Sequence, residues 1–149
     1  MIVLGSDHVG YALKRRVTEY LDKRGIAYFD VGVDDGERGD YPAPALKAAR
    51  AVASGEAEKG LLFCGTGIGV SITANKVKGI RCAVCSEPYS ALMSREHNDC
   101  NMLALGGRVI GDEMAIMIVD VWLNAEAQGG RHKKRVDMIM KVEKDGELD

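Results

Sequence analysis

No stretch of this chain is apolar enough to span a bilayer, and neither sign of charge predominates. The run Ala115 to Val119 falls far short of the about 20 residues a spanning helix needs. Lysine and arginine number 20 and aspartate and glutamate 22, a net charge of -2, which removes the electrostatic case for a nucleic-acid or membrane partner. Any bound anion must be gripped by a local cluster. The opening MIVLGSDHVG lacks a basic leader and meets an acid at once, so it does not read as a secretory signal, and a cytoplasmic location is expected. The four cysteines, Cys64, Cys82, Cys85 and Cys100, are then expected to be reduced. No repeat or low-complexity segment interrupts the 149 residues, so residues 1–149 are expected to form one domain, large enough to bury a core without disulfides or a structural metal.

What is present is an alternation of short β-rich runs with amphipathic stretches. Strands are expected at Ile2 to Leu4, Ile26 to Val33, Gly60 to Cys64, Ile80 to Cys85 and Met102 to Leu105. Helical spacing joins Val9, Leu13, Val17, Tyr20 and Leu21, and Gly25 stops that helix. Pro42 suits the first turn of a helix reaching about Ala53, with Leu46, Ala49 and Val52 inward. Further helices are expected from the Gly65 to Gly69 turn to about Lys76, from Pro88 to near His97, from a cap at Asp112 to about Asn124, and from Arg131 to Val142. Five strands alternating with helices predict a three-layer, Rossmann-like α/β fold around a parallel sheet. Ligands in such sheets sit at the carboxyl ends of the strands. Asp7 and His8 follow the first strand and Cys64 ends the third.

The strongest local signal is Cys64-Gly65-Thr66-Gly67-Ile68-Gly69-Val70-Ser71. Three glycines permit a tight turn with several N–H groups facing inward, and a helix start adds positive potential, so the segment can form an anion nest. A cysteine beside such a nest is expected to gain thiolate character. The plain alternative is a strand-to-helix turn with a buried cysteine. The dinucleotide fingerprint fails because Val70 and Ile72 stand where a third glycine is needed, and no Gly-Lys-Ser/Thr follows as in a P-loop. A cysteine phosphatase would need an arginine closing the loop, and none occurs before Arg81. These failures favour a nest for an oxyanion that develops during a reaction.

Other residues carry weaker signals. Asp7-His8 can handle protons or be a helix cap and its neighbour. His97-Asn98-Asp99 ends a helix, where a histidine is favoured by the dipole alone. Arg131 and Arg135 lie i, i+4 on one helix side and suit a phosphate, or belong to a solvated basic face. Cys82 and Cys85 have redox or zinc spacing, but a strand would point them to opposite faces, so they read as structural. Met114, Met117 and Trp122 read as helix core or subunit contact.

Taken together, Asp7-His8, the Cys64 to Gly69 block, Ala74-Asn75-Lys76, Ser86 to Ala91, Glu96-His97-Asn98 and Gly130-Arg131-His132 with Arg135 resemble type B ribose-5-phosphate isomerase, over the chain up to about Val142. The resemblance implies an aldose–ketose isomerase acting through a cis-enediolate, with no cofactor and no metal. Cys64 would move the proton between C1 and C2. The backbone of Gly65, Gly67, Ile68, Gly69, Val70 and Ser71 would hold the enediolate oxygen. Asp7, Thr66 and His97 would assist ring opening. His8, Arg108, Arg131 and Arg135 would hold the phosphate, and Asn98 and Tyr41 would line the sugar pocket.

The same resemblance implies a homodimer, or a tetramer of two such dimers, with shared sites. His97, Asn98, Arg108 and the C-terminal arginines would come from the partner subunit, the last helix reaching across. One branch of the family replaces the thiol by a glutamate at the position of Val70; with Cys64 and Val70 this chain resembles the thiol branch. Galactose 6-phosphate isomerases lack a segment like Arg95 to Asp99. Val9 departs from a smaller residue common in relatives and either narrows the pocket or packs. Two rival readings stand beside this one: isomerisation of a six-carbon phosphate such as allose 6-phosphate, and a non-catalytic sugar-phosphate-binding module.

Overall fold

Eleven elements alternate along residues 1–149, all of which the computed structural model describes: β1 (Ile2–Ser6), α1 (Tyr11–Lys23), β2 (Tyr28–Asp30), α2 (Pro42–Ala53), β3 (Lys59–Cys64), α3 (Ile68–Asn75), β4 (Cys82–Val84), α4 (Pro88–Glu96), β5 (Met102–Gly106), α5 (Asp112–Asn124) and α6 (Arg131–Asp145). Every strand pair is parallel, in the order β2-β1-β3-β5-β4.

The period-two alternation of the three central strands builds two cores. Ile2, Leu4, Leu61, Phe63, Leu103 and Leu105 face one side, against Leu13, Val17 and Leu21 of α1 and Ala115, Ile118, Val119 and Trp122 of α5. Val3, Leu62, Cys64, Met102 and Ala104 face the other, against the alanines of α2 and Val70 and Ala74 of α3. Helices therefore cover both faces, giving three layers. Trp122 is fully buried, and its burial alone contributes about 3 kcal/mol. Cys82 joins one core and Cys85 the other, as their spacing in a strand requires.

The helix following β1 packs on one face of the sheet and the helix following β3 packs on the other. The chain thus reverses direction between these neighbouring strands, which opens a crevice at their carboxyl ends. Asp7 and Cys64 flank that crevice.

Several boundaries differ from expectation. β2 is three residues, not Ile26 to Val33: Ile26 N–H closes a turn on Leu21 C=O at 2.9 Å, and Gly32 crosses directly over the Ser6 backbone. β4 is three residues, not Ile80 to Cys85: Ile80 N–H turns back to Val77 C=O and Arg81 N–H is taken by the Asn101 side chain. Asp112 does not cap α5; Gly111 holds that position, and Asp112 with Glu113 complements the dipole from the first turn. Leu46 is only half-buried, because Ala45, Ala48, Ala49 and Val52 fill the inward stripe. α6 continues past Val142 to Asp145, supported by the Lys141–Asp145 pair and ended by Gly146 in the left-handed region. Met114 and Met117 lie on the exposed side of α5, while Trp122 faces the core. No helix is long and apolar enough to cross a membrane.

Candidate active site

Cys64 is the last residue of β3 and is buried. The turn after it reverses sharply because Gly67 adopts φ +79°, a conformation that a side chain disfavours. In that conformation Gly67 N–H donates to Cys64 Sγ at 3.2 Å. Burial pushes the remaining thiols up, Cys85 and Cys100 to about 11 and Cys82 higher still; neighbouring Cys100 and Glu87 add to the shift at Cys85, while Arg81 and Arg95 pull Cys100 back.

The expected nest is smaller than the sequence suggested. Ile68 N–H is taken by Thr66 Oγ1 at 3.2 Å and Ser71 N–H by Gly67 C=O at 3.2 Å. Ser71 Oγ donates to Ile68 C=O at 2.7 Å. Gly69 and Val70 keep their N–H groups without a protein acceptor in the first turn of α3. These two donors, with the helix start behind them, are free for an oxyanion beside Cys64.

Three further loops close around this turn. In the first, Asp7 Oδ1 accepts from Val9 N–H at 3.0 Å and Gly10 N–H at 2.9 Å, folding the entry to α1. Gly10 then rests on the backbone of Phe63 and Cys64 so closely that a Cβ would lie 2.4 Å from the Phe63 carbonyl carbon. Val9 packs beside Gly65, with its Cγ1 3.4 Å from where a Cβ on that glycine would be. In the second, His8 Nδ1 accepts from Gly39 N–H at 3.4 Å, an arrangement in which Nε2 carries the proton. Two residues on, Tyr41 lays its ring against Gly69, where a Cβ would sit 2.3 Å from Cε1. In the third, Gly107 N–H donates to Cys64 C=O at 2.8 Å and Arg108 N–H to Gly65 C=O at 3.0 Å. These bonds hold the Arg108 side chain beside Gly65 of its own chain, with Cδ 3.8 Å from the Cβ position. Arg108 was expected from a partner; it stands instead on the same edge as Cys64.

His97, Asn98, Arg131 and Arg135 are elsewhere. α4 starts beyond the carboxyl end of β4 and runs back, so His97 at its end lies near the amino end of β5. β3 is six residues long, which puts the two edges about 20 Å apart. There, Arg81 Nε donates to Asn98 C=O at 3.0 Å and Arg81 Nη2 to Asp99 C=O at 2.7 Å. Arg95 Nη1 donates to Asp99 Oδ1 at 2.9 Å and Cys100 C=O at 2.7 Å. Asp99 takes φ +46° under these bonds. The His97 ring stacks on His132 of α6, centroids 3.9 Å apart and planes 4° from parallel. Arg131 and Arg135 are exposed on the same helix. Neither Arg81, Arg95 nor His132 stood out as a site residue in the sequence; only the bonds to the His97 turn reveal them.

One chain therefore carries its candidate residues in two separate groups. The carboxyl edge holds the thiol, the amide donors, Asp7, His8, Thr66, Tyr41 and Arg108. The amino edge holds an imidazole, a carboxamide and two guanidiniums. No group of three or more His, Cys, Asp or Glu side chains is placed to hold a metal ion. Fold and site together define an α/β enzyme with a thiol and free backbone donors standing at a sheet switch point. The chain belongs to the Ribose/Galactose Isomerase family, whose model matches residues 2–139. It is 54% identical over 142 residues, 95% of each chain, to ribose-5-phosphate isomerase B of Escherichia coli. Its fold superposes with a TM-score of 0.95 on ribose-5-phosphate isomerase B of Clostridium thermocellum, at 55% identity over 98% of this chain and 99% of that one. Against ribose-5-phosphate isomerase B of Mycoplasma genitalium with bound ribulose 5-phosphate the TM-score is 0.89, at 38% identity over 97% and 96%.

Proposed function

We propose that this chain interconverts ribose 5-phosphate and ribulose 5-phosphate, with Cys64 as the acid/base. The observation that carries the reading is Cys64 Sγ accepting from Gly67 N–H at 3.2 Å beside the unpaired amides of Gly69 and Val70. In the open-chain aldose, the thiolate takes the proton from C2. The electron pair moves to the C1 carbonyl, giving a cis-enediolate whose charge lies on O1. Gly69 and Val70 N–H groups receive that charge, each such donor supplying about 3 kcal/mol. The thiol returns its proton to C1, and a proton passes from O2 to O1. Before this, the furanose opens: a base removes the O1 hydroxyl proton and an acid protonates the ring oxygen. His97 supplies the base, with Asp7 and Thr66 assisting at the other side.

The working unit in this proposal is a homodimer. His97, Asn98, Arg131 and Arg135 sit about 20 Å from the thiol of their own chain, so they serve the thiol of a partner. Arg131 and Arg135, exposed one helical turn apart, then grip the phosphate together with His8 and Arg108. α6 is the element that brings them across. The 149 residues act as one isomerase domain. A cytoplasmic location fits a phosphorylated metabolite and four free thiols.

The test is turnover of ribose 5-phosphate in EDTA by the wild type and by Cys64→Ala. Wild-type turnover, with a loss of about 1000-fold or more in the variant and retained phosphate binding, is expected. Equal rates would remove the thiol from the mechanism, and no wild-type turnover would remove the substrate.

A further inference from the structure

The His97–His132 stack joins two elements that carry different parts of the proposed site. α4 ends in His97, the proposed ring-opening base, and α6 begins with Arg131 and carries Arg135. The connection between them is fastened at two points. Gln128 N–H donates to Glu96 C=O at 2.8 Å and Gln128 Nε2 to Glu96 Oε2 at 3.1 Å. The imidazoles then lie face to face at 3.9 Å. His132 and Val136 are the buried residues of α6, while Arg131 and Arg135 project from the exposed side. One helical turn thus points a ring inward at His97 and two guanidiniums outward.

A sugar phosphate has two handles a fixed number of carbons apart, the reacting end and the phosphate. An imidazole for one and a guanidinium pair for the other can serve a single substrate only at a fixed spacing. We infer that His132 is a positioning residue: its ring sets the orientation of His97 and its distance from Arg131 and Arg135, and so matches the site to the length of its sugar phosphate. This inference rests on the function proposed above. Elsewhere on the same turn, Arg81 and Arg95 fix the backbone of Asn98 and Asp99 and make no hydrogen bond to the His97 ring, whose plane follows the stack. The His132 imidazole is itself held down from its ordinary value, by burial first and then by His97, Arg131 and Arg135, against the opposing pull of Glu96.

The experiment compares wild type, His97→Ala, His132→Ala and His132→Phe. Phenylalanine keeps a flat ring of similar size and keeps the test open should the alanine variant not fold. His132→Ala should lower kcat/KM for ribose 5-phosphate by about 10- to 100-fold, chiefly through kcat. The inhibition constant of inorganic phosphate, which reads the phosphate-holding groups and not His97, should stay within about twofold. His132→Phe should recover kcat to within about threefold. The chain has 3 histidines, so imidazole NMR signals are assignable; those of His97 should move downfield in the alanine variant as the ring-current shift is lost, and stay in place in His132→Phe. Wild-type kinetics in His132→Ala beside an impaired His97→Ala would overturn the inference and leave the proposed function standing. So would a phenylalanine variant as slow as the alanine one. No turnover by the wild type would overturn the function beneath it, and the NMR shift would then report the stack alone.

Discussion

Gly67 aims its amide at the sulfur of Cys64 across 3.2 Å, and it does so from a backbone conformation, φ +79°, that a side chain resists. The same residue starts α3, whose first-turn amides face the thiol's surroundings. A Cβ there would also approach the Leu105 carbonyl carbon at 3.0 Å. Gly67→Ala should therefore cost about 2 kcal/mol of stability in urea unfolding and lower kcat at least about tenfold. An alanine variant with full activity would show that the sulfur does not depend on that amide.

The proposed sharing of sites between two subunits makes a specific demand on mixed dimers. Cys64→Ala and Arg131→Ala each spoil every site of their own homodimer. A heterodimer of the two has one site with both residues intact and one with neither. Co-expressed and mixed at random, the two inactive chains should recover about a quarter of the wild-type rate. Absence of any recovery in dimers shown to be mixed would place thiol and arginine within one chain.

Lys14 is fully buried, pairs with Asp30 Oδ2 at 2.7 Å and donates to Val33 C=O at 3.0 Å. The loop it anchors leads to Gly39 and Tyr41 at the site. Removing the cation and removing the anion should differ. Lys14→Met keeps the apolar stem and leaves a partly exposed carboxylate that water can serve, at a cost of about 1–2 kcal/mol. Asp30→Asn leaves a buried ammonium without its counter-charge and should cost about 3–5 kcal/mol. Urea unfolding of both variants checks the order; the reverse order would mean that Val33 C=O, not Asp30, is the main partner.

At the far side of the molecule, Tyr20 donates its hydroxyl to Asp120. Burial, the Asp120 hydrogen bond and the Asp120 charge push this phenol up from 10.0 to about 12, against the weaker pull of Arg24. The raised value means that the neutral phenol stabilises the fold. Its contribution is complete below pH 10 and is lost as pH rises through about 12. Tyr20→Phe should lose about 1 kcal/mol at pH 8, and the gap to wild type should close by pH 12. A gap independent of pH across that range would locate the effect in packing.

Much of the fold was legible because the signals are local. Apolar alternation at Leu61-Leu62-Phe63 gives a strand buried on both faces, and Leu13, Val17 and Leu21 give a helix on one of them. The glycine turn after Cys64 and the acid after β1 mark strand ends, so one edge of the site could be read from the chain. The limits were set by contacts between distant segments. The edge strands β2 and β4 came out short because pairing on one side only lets Gly32 and Arg81 turn away, which no propensity records. Arg108 looked like a partner's residue until the bonds to Cys64 and Gly65 fixed it at home. His132 was visible as part of a motif, but its role depends on a ring contact across 35 positions of sequence.

The floor around Cys64 is backbone against backbone: Gly10 on Phe63, Gly106 on Thr66, Gly107 on Cys64. The walls are side chains, Val9, Tyr41 and Arg108. Main-chain atoms are common to every amino acid, so substitutions drift through the walls while the floor keeps its shape. Such a molecule can change the sugar it prefers without rebuilding the chemistry it performs, and a laboratory seeking new substrates for it should randomise the walls and leave the glycines alone.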